Sequence, residues 1–262
     1  MEFIDSHTHL DAKEFDEDRE EVIQRALDAG VTTIINIGAT DGFQGAERSI
    51  ALAEQHPHIW ITVGIHPHDS EEELDIERLR GLASHDKVVA IGETGLDFFR
   101  DWAPVDRQYL WFRSQIELVQ ELSLPLVIHS RDSAEQCLEV LREMEAEKVG
   151  GVFHCYGGDV PFAHEIFDLN FIVSFPGTIT FKKANELRDT VKALPLEKMM
   201  IETDAPYLAP EPYRGKRCES SYVVETAKRI AEIKEVSLEE VARVTTQTAR
   251  KFYRLPGKEN PQ

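Results

Sequence analysis

Phe3-Ile4-Asp5-Ser6-His7-Thr8-His9-Leu10-Asp11 stands at the start of the chain. Two apolar residues followed by His-x-His describe a buried strand whose last residues leave the core. Residues i and i+2 of a strand project to the same side. His7 and His9 therefore aim their imidazoles at one point, as a metal ion requires. A lone His-x-His is more often an ordinary core or surface pair than a pair of ligands. The distinction rests on whether later strands end in the same way.

Apolar, often β-branched runs recur along the chain, each followed by a stretch with helical periodicity. Strands are predicted over 3–7, 32–37, 59–65, 88–92, 126–129, 151–154, 171–175 and 198–202. Helices are predicted over 16–29, 42–55, 71–84, 106–122, 132–146, 159–168 and 183–194, with two more over 220–234 and 237–252. The first shows Val22, Ile23, Ala26 and Leu27 on one face and stops at Gly30, a helix C-terminal signal. Eight strands alternating with helices in 262 residues is the pattern of a (β/α)8 TIM barrel. The main competitor, an open doubly wound sheet binding a dinucleotide, lacks its Gly-x-Gly-x-x-Gly after the first strand. No repeat, low-complexity segment or linker divides the chain, so residues 1–262 read as one domain with a frayed tail over 256–262.

A barrel of this kind carries its chemistry where strands end and βα loops begin. Those ends read His7-Thr8-His9, Gly64-Ile65-His66-Pro67-His68, Gly92-Glu93-Thr94-Gly95-Leu96-Asp97, His129-Ser130-Arg131-Asp132, His154-Cys155-Tyr156 and Glu202-Thr203-Asp204. His56, His58, His85 and His164 fall elsewhere and read as ordinary surface residues. Ionised groups converging on one barrel mouth repel one another and lose solvation unless a cation sits among them. Metal binding removes that difficulty for all of them at once.

Composition bounds the partners. At 42% hydrophobic and 29% charged the chain is an ordinary globular one. It has no apolar run near the ~18 residues of a membrane span and no basic-then-apolar N-terminus, so neither a membrane span nor a secretory signal is expected. Three cysteines without CxxC spacing fit a reducing cytoplasm. With a net charge of −19 the average field repels a polyanion. Any nucleic acid must be gripped by metal ions or a local cation cluster. The densest such cluster is Tyr213-Arg214-Gly215-Lys216-Arg217, joined by Lys182 and Lys183; its bland alternative is a solvated charged surface. No obligate protein partner is evident.

The segments DSHTHLD, VGIHPHD, AIGETGLDFFRD, PLVIHSRD, GVFHCYGG, SFPGTITFKKA and IETDAPYLAP resemble, in order and along nearly the whole chain, the signature blocks of the TatD family of metal-dependent deoxyribonucleases. The resemblance implies a metal-dependent hydrolase with two divalent ions (Zn, Mn or Mg) that cleaves phosphodiester bonds of DNA. Carried over, one ion is held by His7, His9, Glu93 and Asp204, and the other by Glu93, His129 and His154, with Glu93 bridging. Glu93 and Asp204 are then the catalytic carboxylates, and Asp204 also accepts the proton of the attacking water. A mixed imidazole and carboxylate set suits Zn2+ or Mn2+, whereas oxygen ligands alone favour Mg2+. Substrate contacts are expected from His66, Arg131, Glu202 and Arg217. Each has a second reading: His66 can serve its own turn, and Arg131 can pair with Asp132. Glu202 can orient the site, bind a further metal or pair with a cation. Asp97 is expected to fix its loop.

The barrel mouth is a pit, which a chain end enters more readily than an intact duplex does. An exonuclease on single-stranded ends is therefore expected, with hydrolysis of another bond (an aminoacyl-tRNA ester, a small phosphodiester or an amide) as the alternative. A binding module with no activity ranks last, because every ligand position is filled. Two departures from the family's pattern stand out: Arg217-Cys218-Glu219-Ser220 replaces Arg-Asn-Glu-Pro, losing an amide's donors and acceptor, and Pro176 replaces a small hydroxyl residue.

Overall fold

The computed structural model describes residues 1–71 and 73–256, so the tail read as frayed lies, apart from Pro256, outside the described residues. Eight parallel strands hydrogen-bond in sequence order: β1 (Phe3–Thr8), β2 (Val31–Gly38), β3 (Ile59–Val63), β4 (Val88–Asp97), β5 (Leu126–Arg131), β6 (Gly151–Phe153), β7 (Phe171–Phe175) and β8 (Met199–Ile201). Between them run α1 (Arg19–Asp28), α2 (Gly42–Gln55), α3 (Ile76–Ala83), α4 (Val105–Leu122), α5 (Ala134–Glu143), α6 (Val160–Asp168) and α7 (Asn185–Ala193). Helices α8 (Val223–Lys234) and α9 (Leu238–Phe252) follow. This is the TIM barrel expected from the alternation. Among the described residues no helix is long and apolar enough to cross a membrane.

The seam between β8 and β1 is closed by bonds that lie at the chemistry. Asp204 N donates to His7 O at 2.9 Å, and His9 N donates to Ala205 O at 2.7 Å. Just below, Asp5 receives the backbone N–H of Thr203 at 2.9 Å and its hydroxyl at 2.6 Å. A side chain thus supplies acceptors the ladder lacks there.

The strand pleat sorts the barrel interior into layers. Ile4, Ile35, Ala90, Val127, Val152 and Met200 form an apolar layer near the strand starts. Tyr253, at the end of α9, enters this layer and donates to Ser6 O at 2.9 Å. Two residues further along three of the strands come His129, His154 and Glu202, on the same face by the period-2 rule. The other strand faces pack against the helices in the main core, where Ile34, Ile61, Leu126, Phe153 and Phe171 meet Leu52, Leu79, Trp111, Leu141 and Ile166.

The largest departure from the sequence expectation is β4, which runs on to Asp97 instead of stopping at Gly92. Gly92 pairs with Val127 and Thr94 with Ile128, leaving Glu93 as an extra residue in a bulge. Gly92 (φ +137°) and Gly95 (φ +140°) take conformations closed to other residues. A Cβ on Gly95 would stand 2.0 Å from His129 O. Gly95→Ala is therefore expected to lower unfolding free energy by about 2 kcal/mol or more. Gly81→Ala, on exposed α3 with nothing within 4 Å of the added carbon, should raise it by about 0.5–1 kcal/mol. Urea titrations of both variants check the pair.

Candidate metal centre

Glu93 is 3% exposed and lies among five imidazoles, with its two oxygens facing different neighbours. Oε1 is 2.7 Å from His129 Nδ1, 2.8 Å from His154 Nε2 and 3.5 Å from His66 Nε2. Oε2 is 3.4 Å from His7 Nε2 and 3.9 Å from His9 Nε2. Asp204 Oδ1 completes that side, 3.7 Å from His7 and 3.4 Å from His9. Asp204 sits at φ +55°, a left-handed turn that aspartate tolerates better than most residues and that takes the chain out of β8.

Whether these donors fit a metal is tested by what they lack. Among the described residues neither ring nitrogen of His7, both buried, has a hydrogen-bond partner, although Nε2 points between two carboxylates. An orphaned buried imidazole costs on the order of 1–3 kcal/mol, and a cation at that point satisfies it together with both carboxylates. Electrostatics point the same way. Burial pushes the Glu93 carboxyl up, but His154 and the hydrogen-bonding imidazoles around it hold it well below the usual carboxylate range. Burial lowers the His154 ring, yet Glu93 and Glu202 overcome this and raise it well above an ordinary histidine. The field that would keep a proton on His154 favours a divalent cation in its place.

Outer partners set the tautomers. Asp97 Oδ2 lies 3.0 Å from His129 Nε2 and 2.7 Å from His68 Nε2. Burial pushes the Asp97 carboxyl up, but bonds from His129, the Arg100 backbone and His68 hold it below the usual range. An ionised carboxylate only accepts, so both Nε2 atoms carry protons, and His129 Nδ1, turned toward Glu93 Oε1, is the nitrogen a metal would take. Asp97 Oδ1 takes the backbone N–H groups of Phe99 and Arg100, each at 2.9 Å, so the expected loop-fixing role holds alongside this one. Glu202 stands behind His154, fully buried: Oε1 lies 3.4 Å from His154 Nδ1 and accepts from Cys155 N at 2.7 Å, and Oε2 accepts from the Ser174 hydroxyl. This placement turns His154 Nε2 toward Glu93.

His66 differs from its neighbours. Its Nδ1 accepts from His68 N at 3.1 Å, and burial pushes its pKa down to about 3. The neutral ring therefore carries its proton on Nε2, facing the cluster as a donor rather than as a ligand. Arg131, exposed at the end of β5, lies 3.9 Å over the Phe99 ring. The Arg217 guanidinium makes two 2.7 Å bonds to Asp18 and stacks over Phe15, so its charge is already neutralised. Arg214 lies 3.6 Å over Phe181, beside exposed Lys182 and Lys183. Cys218 is buried, its thiol against Thr203 O, next to Asp204. The bulge at Glu93 and the Asp97–His129 and Glu202–His154 pairs were not legible as such; Gly92 and Gly95 were the one local hint.

Fold and site together define a metal-dependent hydrolase on a TIM barrel. The chain belongs to the family described as TatD related DNase, which it matches over residues 4–254. It is 42% identical over 254 residues to the uncharacterized metal-dependent hydrolase YabD of Bacillus subtilis, covering 96% of this chain and 99% of that protein. It is 33% identical over 255 residues to a Rahnella protein named 3'-5' ssDNA/RNA exonuclease TatD, covering 94% of this chain and 96% of that protein. The crystal structure of YJJV, a TatD homolog from Escherichia coli, aligns with a TM-score of 0.90 at 29% identity, covering 97% of this chain and 98% of that one.

Because Glu93 touches every histidine of the cluster, metal binding and folding are linked through it. Saturating a stripped sample with Mn2+ or Zn2+ should raise the melting temperature, the stabilisation reaching about 4 kcal/mol near 1,000 times Kd. In Glu93→Ala the rise should shrink to a small fraction. Scanning calorimetry with and without chelator checks this.

Proposed function

We propose that the protein hydrolyses phosphodiester bonds at the ends of single-stranded nucleic acid, DNA first, using two divalent ions held across Glu93. The observation that carries this is the division of the Glu93 oxygens: Oε2 faces His7 and His9, which group with Asp204, while Oε1 faces His129, His154 and His66. The name of the Rahnella relative, an exonuclease on single-stranded DNA and RNA, agrees with the substrate. Three free cysteines suit a cytoplasmic enzyme.

When bound, the ions acidify a water and neutralise charge on the phosphoryl group. The side chains do the rest. Asp204, at the open end of β8 with 15% of its side chain exposed, takes the proton of the attacking water. His66 Nε2–H donates to a phosphoryl oxygen without adding charge. Arg131, two residues beyond His129, offsets the charge of the flanking phosphate. Asp97 and Glu202 hold His129 and His154 in the orientations that expose the correct nitrogens. Mixed nitrogen and oxygen donors select Zn2+ or Mn2+ over Mg2+.

End-labelled single strands incubated with the metal-loaded protein should shorten progressively. Intact strands under Zn2+, Mn2+ and Mg2+, with turnover of an aminoacyl ester or amide instead, would transfer the activity to a carbonyl substrate. Asp204→Asn should lower kcat by about 10²–10⁴. The double variant His7→Ala/His9→Ala should drop bound metal from about two ions to one, as two ions shared across Glu93 would require. Elemental analysis that finds both ions lost together would show that the two donor sets are not separate sites.

A further inference from the structure

Only three phenylalanine, tyrosine or tryptophan rings are exposed among the described residues: Phe99 (53%), Trp102 (59%) and Tyr207 (55%). All three border the metal centre. Trp102 packs edge-on against His68 with centroids 4.5 Å apart, and Tyr207 edge-on toward His9 at 6.3 Å. Phe99 carries the Arg131 guanidinium over its face. The first two rings belong to the loop after β4, on the His66–His129 side. Tyr207 belongs to the loop after β8, on the His9–Asp204 side. Large exposed rings lose free energy in water, and their concentration around one opening marks a contact surface.

The charges beside them are equally selective. Most arginines of this acidic chain are paired with carboxylates, as Arg25 is with Glu219 and Arg48 with Asp41. Arg100 and Arg131 are not paired with any carboxylate among the described residues; they lie against Phe99 and Trp102. Flat apolar faces joined to unneutralised guanidinium groups complement a ligand that alternates flat bases with phosphates. A duplex hides the base faces, whereas a single strand presents them.

We propose that Phe99 and Trp102 on one side and Tyr207 on the other are the stacking platforms for the two bases flanking the scissile phosphate, with Arg100 and Arg131 on the backbone. This deepens the nuclease function proposed above and rests on it. The preference for unpaired ends then comes from these platforms as well as from the pit they surround.

The test is fluorescence anisotropy of the metal-loaded protein with two hydrolysis-resistant phosphorothioate strands of equal length, one of thymidines and one abasic. Stacking on aromatic side chains contributes about 1–3 kcal/mol per base, so the wild type should bind the thymidine strand about tenfold or more tighter. Phe99→Ala/Trp102→Ala should remove most of that ratio and Tyr207→Ala part of it, while Trp102→Phe and Tyr207→Phe, which keep a π face, should retain it. Arg131→Gln should weaken both strands alike and flatten the salt dependence. Equal wild-type affinity for the two strands, or an undiminished ratio in the combined ring variant, overturns the proposal. If strands are cleaved yet the ratio is absent, the platforms fail and the nuclease stands. If the ratio is present but no strand is cleaved, the nuclease fails and the platforms stand.

Discussion

One buried carboxylate governs this structure. Glu93 lies where desolvation of a charged group costs several kcal/mol, and it is held there ionised by the imidazoles packed about it. Those imidazoles come from β1, the loop after β3, β5 and the end of β6, so their shared need for one charge ties together strands far apart in sequence. The cluster is balanced only when positive charge occupies the space between the Glu93 and Asp204 oxygens. Protons can supply that charge in part. A divalent cation supplies it at fixed points, and the unpartnered nitrogens of His7 mark one of them.

The barrel makes this arrangement rigid through a division of its interior. Apolar residues from the early part of each strand, closed over by Tyr253, give a dry base on which the polar layer rests. Asp97 bonds to His129 on one side and Glu202 lies 3.4 Å from His154 Nδ1 on the other, each fully buried and each also accepting from backbone N–H. Such outer carboxylates fix ring orientation and strengthen the donor nitrogen. They explain why a chain with so many buried ionisable groups still has a defined geometry.

Surface electrostatics follow a related economy. The bulk of the protein is anionic, and Arg217, one of the cations expected at the substrate, joins its loop to the start of α1 through Asp18. That pair is partly exposed, so its contribution to stability is modest; it anchors the loop that follows Asp204. The Cys218 thiol packs, buried, against Thr203 O in the same region. At the mouth, Arg100 and Arg131 pair with no carboxylate among the described residues.

Much of this was legible in the sequence because it depends on local periodicity. Alternating apolar runs and amphipathic stretches determined the barrel, and the clustering of His7, His9, His66, His129, His154 and Asp204 at strand ends pointed to its mouth as the candidate metal centre. Strand 171–175 and helix 42–55 were legible to the residue. The course of β4 was not, because a bulge is a relation between two strands: whether Glu93 is paired or extra depends on the register of Val127 and Ile128 across the ladder. The same holds for tautomers. His66 and His129 are the same residue type at similar strand ends, and only the placement of His68 N against one and Asp97 against the other makes the first a donor through Nε2 and turns Nδ1 of the second toward Glu93. The sequence by itself determined which strand ends meet, since the pleat and the strand count decide that. Tertiary structure alone decided which atom of each group faces inward, since that depends on partners distant along the chain.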